Sequence, residues 1–392
     1  MIIKVPTNLR LFIYLTALFM TLSVSLVSYT NSSFLAQIIG TDQIGLIYIA
    51  SSIISLFLFL IWPSILKTIR LKTSLALLGL VSFIALTGLF IFDQVLAVGI
   101  GLFLVFYATA PLLRYSLDLY LENFSTNKIT GGIRGLFLTI INTAWLISPI
   151  ITGLILDGSN HYELVYGVAG LNLIPFLFLL FKLPRVEITS KLNPTSNPWA
   201  ILWRPKNQLD KDLRNILGID FILNFFYALM VIYTPLYLHQ AMGFSWDQIG
   251  FIFTIMLLPF VLIQYPLGLL CDKKIGEKEI IITGLILMAF ATTLIIFLPP
   301  GMVVLWAIIL CLTRVGAAAV EIAKETYLFK KIKHEDSTIL SLSRMLVSVS
   351  YIIGPLSVGL FLIIFDFKFL FAALGLVVLL GLYFAYNLVD TA

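Results

Sequence analysis

The chain of 392 residues is 60% hydrophobic and only 11% charged, with a formal net charge of +5 at pH 7. Soluble domains carry about a quarter charged residues, so this composition excludes an ordinary soluble enzyme or binding domain. Basic residues in so apolar a chain belong to loops beside a membrane, and their surplus therefore does not indicate nucleic-acid binding.

Twelve apolar segments of roughly 20 residues follow one another along the chain, and each can cross a hydrocarbon layer ~30 Å thick. Lipid offers no partners to backbone polar groups, and the segments lack the alternating pattern of barrel strands, so we predict that all are helices. The predicted spans cover residues 9–31, 43–66, 72–91, 95–121, 135–156, 164–183, 213–238, 249–270, 280–298, 303–329, 339–364 and 370–386.

The two halves of the chain repeat short motifs in the same order. Asp-Gln-Ile-Gly occurs at residues 42–45 and again at 247–250, and Pro-x-x-x-Gly occurs at 149–153 and again at 355–359. Internal repeats are typical of secondary transporters, in which the substrate site lies between the copies. We therefore predict an all-α integral membrane protein with 12 transmembrane helices in two pseudo-symmetric six-helix bundles.

One long polar segment, residues 184–212, separates the two sets of spans and contains several prolines and ionic side chains. We interpret it as a cytoplasmic linker between an N-terminal bundle, residues 1–183, and a C-terminal bundle, residues 213–392. Most of the 25 lysines and arginines fall on the same side of the membrane as this linker, whereas Lys368 lies in an outer loop. The positive-inside rule then predicts a multi-pass protein of the cell membrane with both termini in the cytoplasm.

The loop after the second span of the second half has a distinctive pattern. Gly268 is followed four residues later by Asp272, then by Lys273 and Lys274, and then by a second glycine, Gly276. Together with six plus six helices and a long cytoplasmic linker, this loop resembles the signature of the major facilitator superfamily, with one extra residue before Gly276. The resemblance covers essentially the whole chain and implies transport by rocker-switch alternating access.

The resemblance also implies a conformational latch in that loop. Asp272 would cap a neighbouring helix and hold the cytoplasmic side closed, because a carboxylate near a helix N-terminus is stabilised by ~0.3–1 kcal/mol; Gly268 would permit close packing. The first half departs from the pattern, since Pro63 replaces the glycine and Lys67 the aspartate. We expect its latch to be weaker or built differently. The alternative is a loop that only retains positive charge for topology.

Charged residues within the spans indicate a functional site, because an ionisable group at membrane depth is costly and usually faces a cavity or a partner. The resemblance implies a cavity lined by the first and fourth helices of each half, and the charges lie in the fourth, seventh and tenth spans. Arg114 and Asp118 are one helical turn apart and can pair. The predicted substrate and proton pathway comprises Arg114, Asp118, Asp220, Asn224, Tyr227, Arg314 and Glu321.

Two interpretations of these charges remain open. In the first, Arg114 and Arg314 bind substrate or change the proton affinity of a carboxylate, because burial disfavours an ionised carboxylate and a nearby arginine favours it. The carboxylate that loads and releases the proton would then be Asp118, Asp220 or Glu321. In the second, ion pairs form a cytoplasmic gate that holds one side shut. We assign this gate role to three residues near the cytoplasmic ends of their spans, Glu122, Lys324 and Glu325.

The sequence contains no Gly-x-x-x-x-Gly-Lys-Ser/Thr loop, and its three histidines are scattered, so neither a nucleotide motor nor a metal site is indicated. We predict a non-enzymatic secondary active transporter, without cofactors, that exports a small organic or amphipathic molecule with protons as the coupling ion. We expect a monomer in the lipid bilayer with no nucleic-acid partner. The alternatives are a proton-coupled importer or uniporter of a polar solute, a flippase for a lipid or lipid-linked precursor, and a non-transporting sensor.

Overall fold

The computed structural model describes residues 7–92, 95–122, 130–157, 159–184, 211–264, 266–268, 276–331 and 337–389. The chain divides into two compact units, Met1–Pro194 and Thr195–Ala392. The division falls inside the segment that the sequence analysis interprets as a linker. Each unit is described below by itself.

The described part of the first unit is almost entirely helical, with a 3₁₀ turn at Thr41–Gln43. Its helices are α1 Thr7–Ser28, α2 Asn31–Ile39, α3 Ile44–Thr68, α4 Leu71–Ile91, α5 Leu96–Glu122, α6 Thr130–Ile155, α7 Tyr162–Leu171 and α8 Leu173–Lys182. Helix α1 packs against α6, α7 and α8, while α4 packs against α5, α7 and α8.

The second unit has the same kind of architecture. Its helices are α9 Lys211–Leu236, α10 Trp246–Leu262, α11 Glu277–Leu294, α12 Val303–Lys331, α13 Ser337–Leu362 and α14 Leu370–Tyr386. Helix α12 packs against α9, α10 and α11, so its side chains meet three different neighbours. Helix α9 packs in addition against α13 and α14.

Within the described residues, eleven helical segments are long and apolar enough to cross a membrane, and Thr139–Ile155 in α6 forms a shorter apolar helix. These segments correspond one to one with the predicted spans. The prediction of an all-α integral membrane protein is therefore confirmed.

Three predicted spans are interrupted within the described residues, and in the eighth the break is at Ile263, directly after α10. The first span was expected to run unbroken to residue 31, but α1 ends at Ser28 and α2 begins at Asn31. The Thr30 hydroxyl donates to the carbonyl of Val27 at 3.1 Å, which competes with helical hydrogen bonding. The sixth span divides into α7 and α8, where Pro175 has no N–H to donate to the preceding turn.

Helices α11 and α12 approach each other closely through two glycines. A Cβ atom added to Gly316 would lie 2.6 Å from the backbone oxygen of Gly284 and 2.6 Å from the backbone nitrogen of Met288. Backbone atoms cannot rotate out of the way as a flexible side chain can, so this contact requires glycine. The close approach positions the part of α12 that carries Arg314, two residues earlier.

The end of the last helix in the first unit is held by two side chains from other helices. The Lys72 ammonium donates to the carbonyls of Phe181 and Leu183 at 3.2 and 2.6 Å. The Tyr120 hydroxyl donates to the carbonyl of Pro184 at 2.8 Å. The last carbonyls of a helix have no intrahelical partner, and these two donors therefore satisfy groups that would otherwise be left unbonded. We call this arrangement the lysine–tyrosine clamp.

The second unit contains the same clamp at the equivalent place. Lys278 donates to the carbonyls of Tyr386 and Leu388, both at 3.0 Å, and the Tyr327 hydroxyl donates to the carbonyl of Val389 at 2.9 Å. The internal repeat therefore extends from sequence motifs to individual hydrogen bonds.

Candidate functional site

A buried ionic cluster connects three helices of the second unit. Asp220 on α9 accepts a hydrogen bond from the Lys324 ammonium on α12 at 2.6 Å, and their side chains are only 3% and 6% exposed. Asn224, one turn further along α9, donates its amide to the same carboxylate oxygen at 2.8 Å. The Ser343 hydroxyl on α13 donates to the other oxygen. We call these four residues the Asp220 cluster; both oxygens of Asp220 are engaged.

The Asp220 cluster continues toward the beginning of α13 through a second acidic residue. Lys324 lies 3.3 Å from Glu325, and Arg344 lies 3.7 Å from the same carboxylate. The sequence analysis assigned Lys324 and Glu325 to a gate and Asp220 to a proton pathway. The structure instead brings these three residues into one connected network, which joins α9, α12 and α13 within this unit.

Glu321 has a different environment from Asp220. Its Oε2 atom accepts a hydrogen bond from the Gln264 amide at 2.9 Å and one from the Tyr227 hydroxyl at 3.5 Å. Gln264 is not among the predicted site residues. A single glutamine in an apolar span more often makes a local hydrogen bond, so nothing in the sequence distinguished it.

Arg314 occupies the middle of α12 and is only 2% exposed. Its guanidinium carbon lies 5.1 Å from the ring centre of Phe226 and 5.4 Å from that of Tyr227, both on α9. Such contacts stabilise a cation through the ring quadrupole. The Nε and Nη1 atoms are buried and have no hydrogen-bond partner among the described residues.

In the first unit, Arg114 and Asp118 form the ion pair that their spacing on α5 allows, with Nε and Oδ1 3.4 Å apart. The guanidinium also lies 5.5 Å from the ring centre of Phe137 on α6. The pair is partly accessible, with side chains 31% and 13% exposed. The second oxygen of Asp118, Oδ2, is buried and has no hydrogen-bond partner in the described part of the chain.

Several predicted site residues lie wholly or partly outside the described part of the structure. Glu122 ends α5, but its side chain lies outside the described part, and Asp272, Lys273 and Lys274 lie outside the described residues altogether. Among described neighbours, a Cβ added at Gly268 would meet only Ile322, at an ordinary contact distance of 3.5 Å. The expectation that Gly268 permits close packing stays a prediction, because most of the loop around it lies outside the described residues.

The last predicted latch residue, Gly276, is buried and immediately precedes the first turn of α11. The following residues include Lys278 of the lysine–tyrosine clamp. This end of the loop is therefore anchored to the end of α14.

Comparison with known proteins agrees with this architecture. The family model described as the Major Facilitator Superfamily matches residues 13–248 and 240–391. This chain belongs to the Major Facilitator Superfamily. No curated protein sequence matches it significantly.

Solved structures of transporters share the fold. The human organic anion transporter MFSD10 (TETRAN) has a TM-score of 0.72 at 15% identity, covering 97% of this chain and 100% of that chain. The nucleoside transporter NupG has a TM-score of 0.71 at 12% identity, covering 97% and 98%. The xylose transporter XylE from E. coli has a TM-score of 0.72 at 13% identity, covering 98% of both chains. At such identities the likeness establishes the fold alone.

Proposed function

We propose that this protein is a proton-coupled secondary transporter that exports a small organic or amphipathic molecule by rocker-switch alternating access. Membership of the Major Facilitator Superfamily supports secondary transport of a small-molecule substrate across a bilayer. The similar structures are described as transporters of an organic anion, of nucleosides and of xylose. The shared fold therefore leaves the substrate open, and the proposal depends on this chain's own residues.

Asp118 carries the proposal of proton coupling. Its Oδ1 faces Arg114 at 3.4 Å, whereas its Oδ2 is buried without a hydrogen-bond donor among the described residues. A protonated carboxyl group can donate a hydrogen bond, whereas an ionised one can only accept, so Oδ2 is the atom to which we assign the proton. We propose that a change in the separation of Asp118 and Arg114 during transport loads or releases this proton.

The other two predicted proton carriers differ from Asp118. Asp220 is a poorer carrier, because both of its oxygens already accept hydrogen bonds, one of them from the Lys324 ammonium. Glu321 is the second candidate. It accepts hydrogen bonds from the neutral amide of Gln264 and the neutral phenol of Tyr227, and an amide oxygen can also accept a hydrogen bond from a protonated carboxyl group.

The test uses the purified full-length chain in vesicles that contain a pH-sensitive dye. Substrates come from thermal-shift screening of metabolites, drugs and lipids at mildly acidic and mildly alkaline pH. The wild-type protein is expected to concentrate substrate in response to a pH gradient. Asp118→Asn is expected to exchange substrate across the membrane but to ignore the gradient.

A matched control changes an aspartate of the same unit that is exposed, Asp157→Asn, and should behave as wild type. If Asp118→Asn and Glu321→Gln both still concentrate substrate against a gradient, proton coupling through these carboxylates is wrong. Accumulation of substrate in the same direction as the proton flow, instead of against it, would favour an importer. Stabilisation and activity only with particular lipids would favour a flippase, and binding without flux a sensor.

We also propose that a gate of Glu122, Lys324 and Glu325, and a latch in the loop around Asp272, close the cytoplasmic side. The contact between Glu325 and Arg344 at 3.7 Å supports this, because it joins α12 to the beginning of α13. Breaking the contact with Glu325→Gln should shift the protein toward a cytoplasm-open state. Cysteine labelling from the cytoplasmic side should then become faster, and unchanged labelling would contradict the gate.

We propose that the protein lies in the cell membrane with both termini on the cytoplasmic side. We also expect it to be a monomer. The concentration of lysine and arginine on one side supports this orientation. A C-terminal green fluorescent protein should fluoresce and a C-terminal alkaline phosphatase should be inactive. The opposite result would invert the topology.

A further inference from the structure

Arg314 is a buried cation with an incomplete set of partners. It lies eleven residues after the beginning of α12, about 17 Å along the helix axis at ~1.5 Å per residue. That depth is close to the middle of a hydrocarbon layer ~30 Å thick. The side chain is 2% exposed, and its Nε and Nη1 atoms have no hydrogen-bond partner among the described residues.

The ring contacts of Arg314 do not complete its hydrogen bonding. Phe226 and Tyr227 lie 5.1 and 5.4 Å from the guanidinium carbon. Aromatic faces stabilise the positive charge, but they offer no oxygen to the N–H groups. Because arginine does not lose its proton in proteins, this burial cannot be relieved by neutralisation, as it could for lysine.

Other charged side chains described on α9 and α12 have partners other than Arg314. Asp220 pairs with Lys324, and Glu325 lies near Arg344. None of the described carboxylates is within ion-pair distance of Arg314. In contrast, Arg114 of the first unit has its own partner one turn away. The missing counter-charge of Arg314 must therefore come from outside the described residues of the chain.

We propose that Arg314 binds an oxyanion, a carboxylate or phosphate, carried by the small organic substrate, with Phe226 and Tyr227 beside it. The planar guanidinium donates two parallel hydrogen bonds to such groups. Tyr227 contacts Arg314 with its ring and Glu321 with its hydroxyl. Glu321, the second candidate proton carrier, is thus connected to the proposed anion site through one side chain. This inference names the substrate class for the proposed function and rests on it.

The test measures binding rather than transport. The purified full-length chain in phosphatidylcholine nanodiscs is titrated with benzoate, phenyl phosphate and the uncharged benzamide, and thermal stability and binding heat are recorded. Benzoate or phenyl phosphate should stabilise the wild type, and benzamide should not. Arg314→Gln should weaken anion binding at least tenfold, and Arg314→Lys should retain part of it. The exposed control Lys368→Gln, which removes the same charge, should bind as wild type.

Two results would overturn the proposal directly. One is equal stabilisation of the wild type and Arg314→Gln by the anions. The other is a panel in which neither soluble anion nor phosphatidylglycerol stabilises the wild type. A third check needs no ligand: Arg314→Met loses the two ring contacts but no hydrogen bond, and it removes a buried charge, so the variant should melt at the same temperature or higher. Melting several degrees lower would mean that Arg314 has an internal partner and would also overturn the proposal.

A lipid headgroup carries the same chemistry as a soluble phosphate ester. Nanodiscs with phosphatidylglycerol distinguish the two sources. Stabilisation by this lipid alone, lost in Arg314→Gln, supports the oxyanion site and assigns the anion to a lipid. The experiments distinguish failure of this inference from failure of the proposed function. If anion binding depends on Arg314 but Asp118→Asn still couples transport to protons, only the role of Asp118 in coupling is contradicted. If Asp118→Asn loses proton coupling but Arg314→Gln binds the anions normally, only the present inference is contradicted.

Discussion

Removing the lysine of the Asp220 cluster should destabilise the second unit strongly. Lys324→Met leaves Asp220 buried at 3% exposure without its cation. Removing one partner of a buried pair costs about 3–5 kcal/mol. We expect the lower end, about 3 kcal/mol, because Asn224 and Ser343 still donate to the carboxylate. The double variant Asp220→Asn with Lys324→Met removes both charges and should recover most of the loss, since an uncharged replacement for a buried pair is often neutral.

The assay is a double-mutant cycle on purified protein, with unfolding followed by tryptophan fluorescence during denaturant titration. Lys211→Met, an exposed lysine on the same helix as Asp220, is the matched control and should change stability by less than about 0.5 kcal/mol. Two outcomes refute the reasoning: a Lys324→Met protein as stable as the control, or a double variant no more stable than the single one. Either would mean that Lys324 is not the cation that stabilises Asp220.

Two further predictions concern packing and the helix ends. Gly316→Ala places a Cβ 2.6 Å from backbone atoms of α11 and should lower the free energy of unfolding by about 1–3 kcal/mol. The control is Gly101→Ala, because a Cβ there has nothing within 4 Å. Equal melting temperatures of the two variants would contradict the close contact. Lys278→Met removes two hydrogen bonds to the end of α14 and should cost about 1.5–3 kcal/mol. Hydrogen exchange should increase at residues 386–389 first, and unchanged exchange there would show that the clamp does not hold this end.

Parts of the candidate site follow from spacing along one helix. Arg114 and Asp118 are one turn apart, and helical geometry alone brings their side chains within reach of each other. The same rule places Glu321, three residues earlier on the helix, within reach of Lys324. The structure pairs Lys324 with Asp220, 104 residues away on another helix. Spacing restricts which neighbours a side chain has on its own helix, but it does not identify the helix packed against it.

Other partners had weaker signals in the sequence. Ser343 and Gln264 are single polar residues in apolar spans and resemble many others. The lysine–tyrosine clamp had a usable signal, because Lys72 and Tyr120 recur in the second half as Lys278 and Tyr327. Repeated polar residues at helix ends could have been matched between the halves, although their acceptors are backbone carbonyls that carry no sequence pattern.

The sequence by itself determined that this protein is helical, crosses a membrane repeatedly and is built from two related halves. Those properties follow from apolar length and from repeated motifs, which are local or additive along the chain. Only the tertiary structure distinguished Asp220, whose oxygens are both bonded, from Asp118, which has a buried oxygen without a donor among the described residues. It also separated Arg114, which is paired with Asp118, from Arg314, which contacts two aromatic rings and has no carboxylate partner among the described residues. The reason is physical: the state of a buried charge depends on donors and acceptors supplied by other helices, and sequence separation does not encode that proximity.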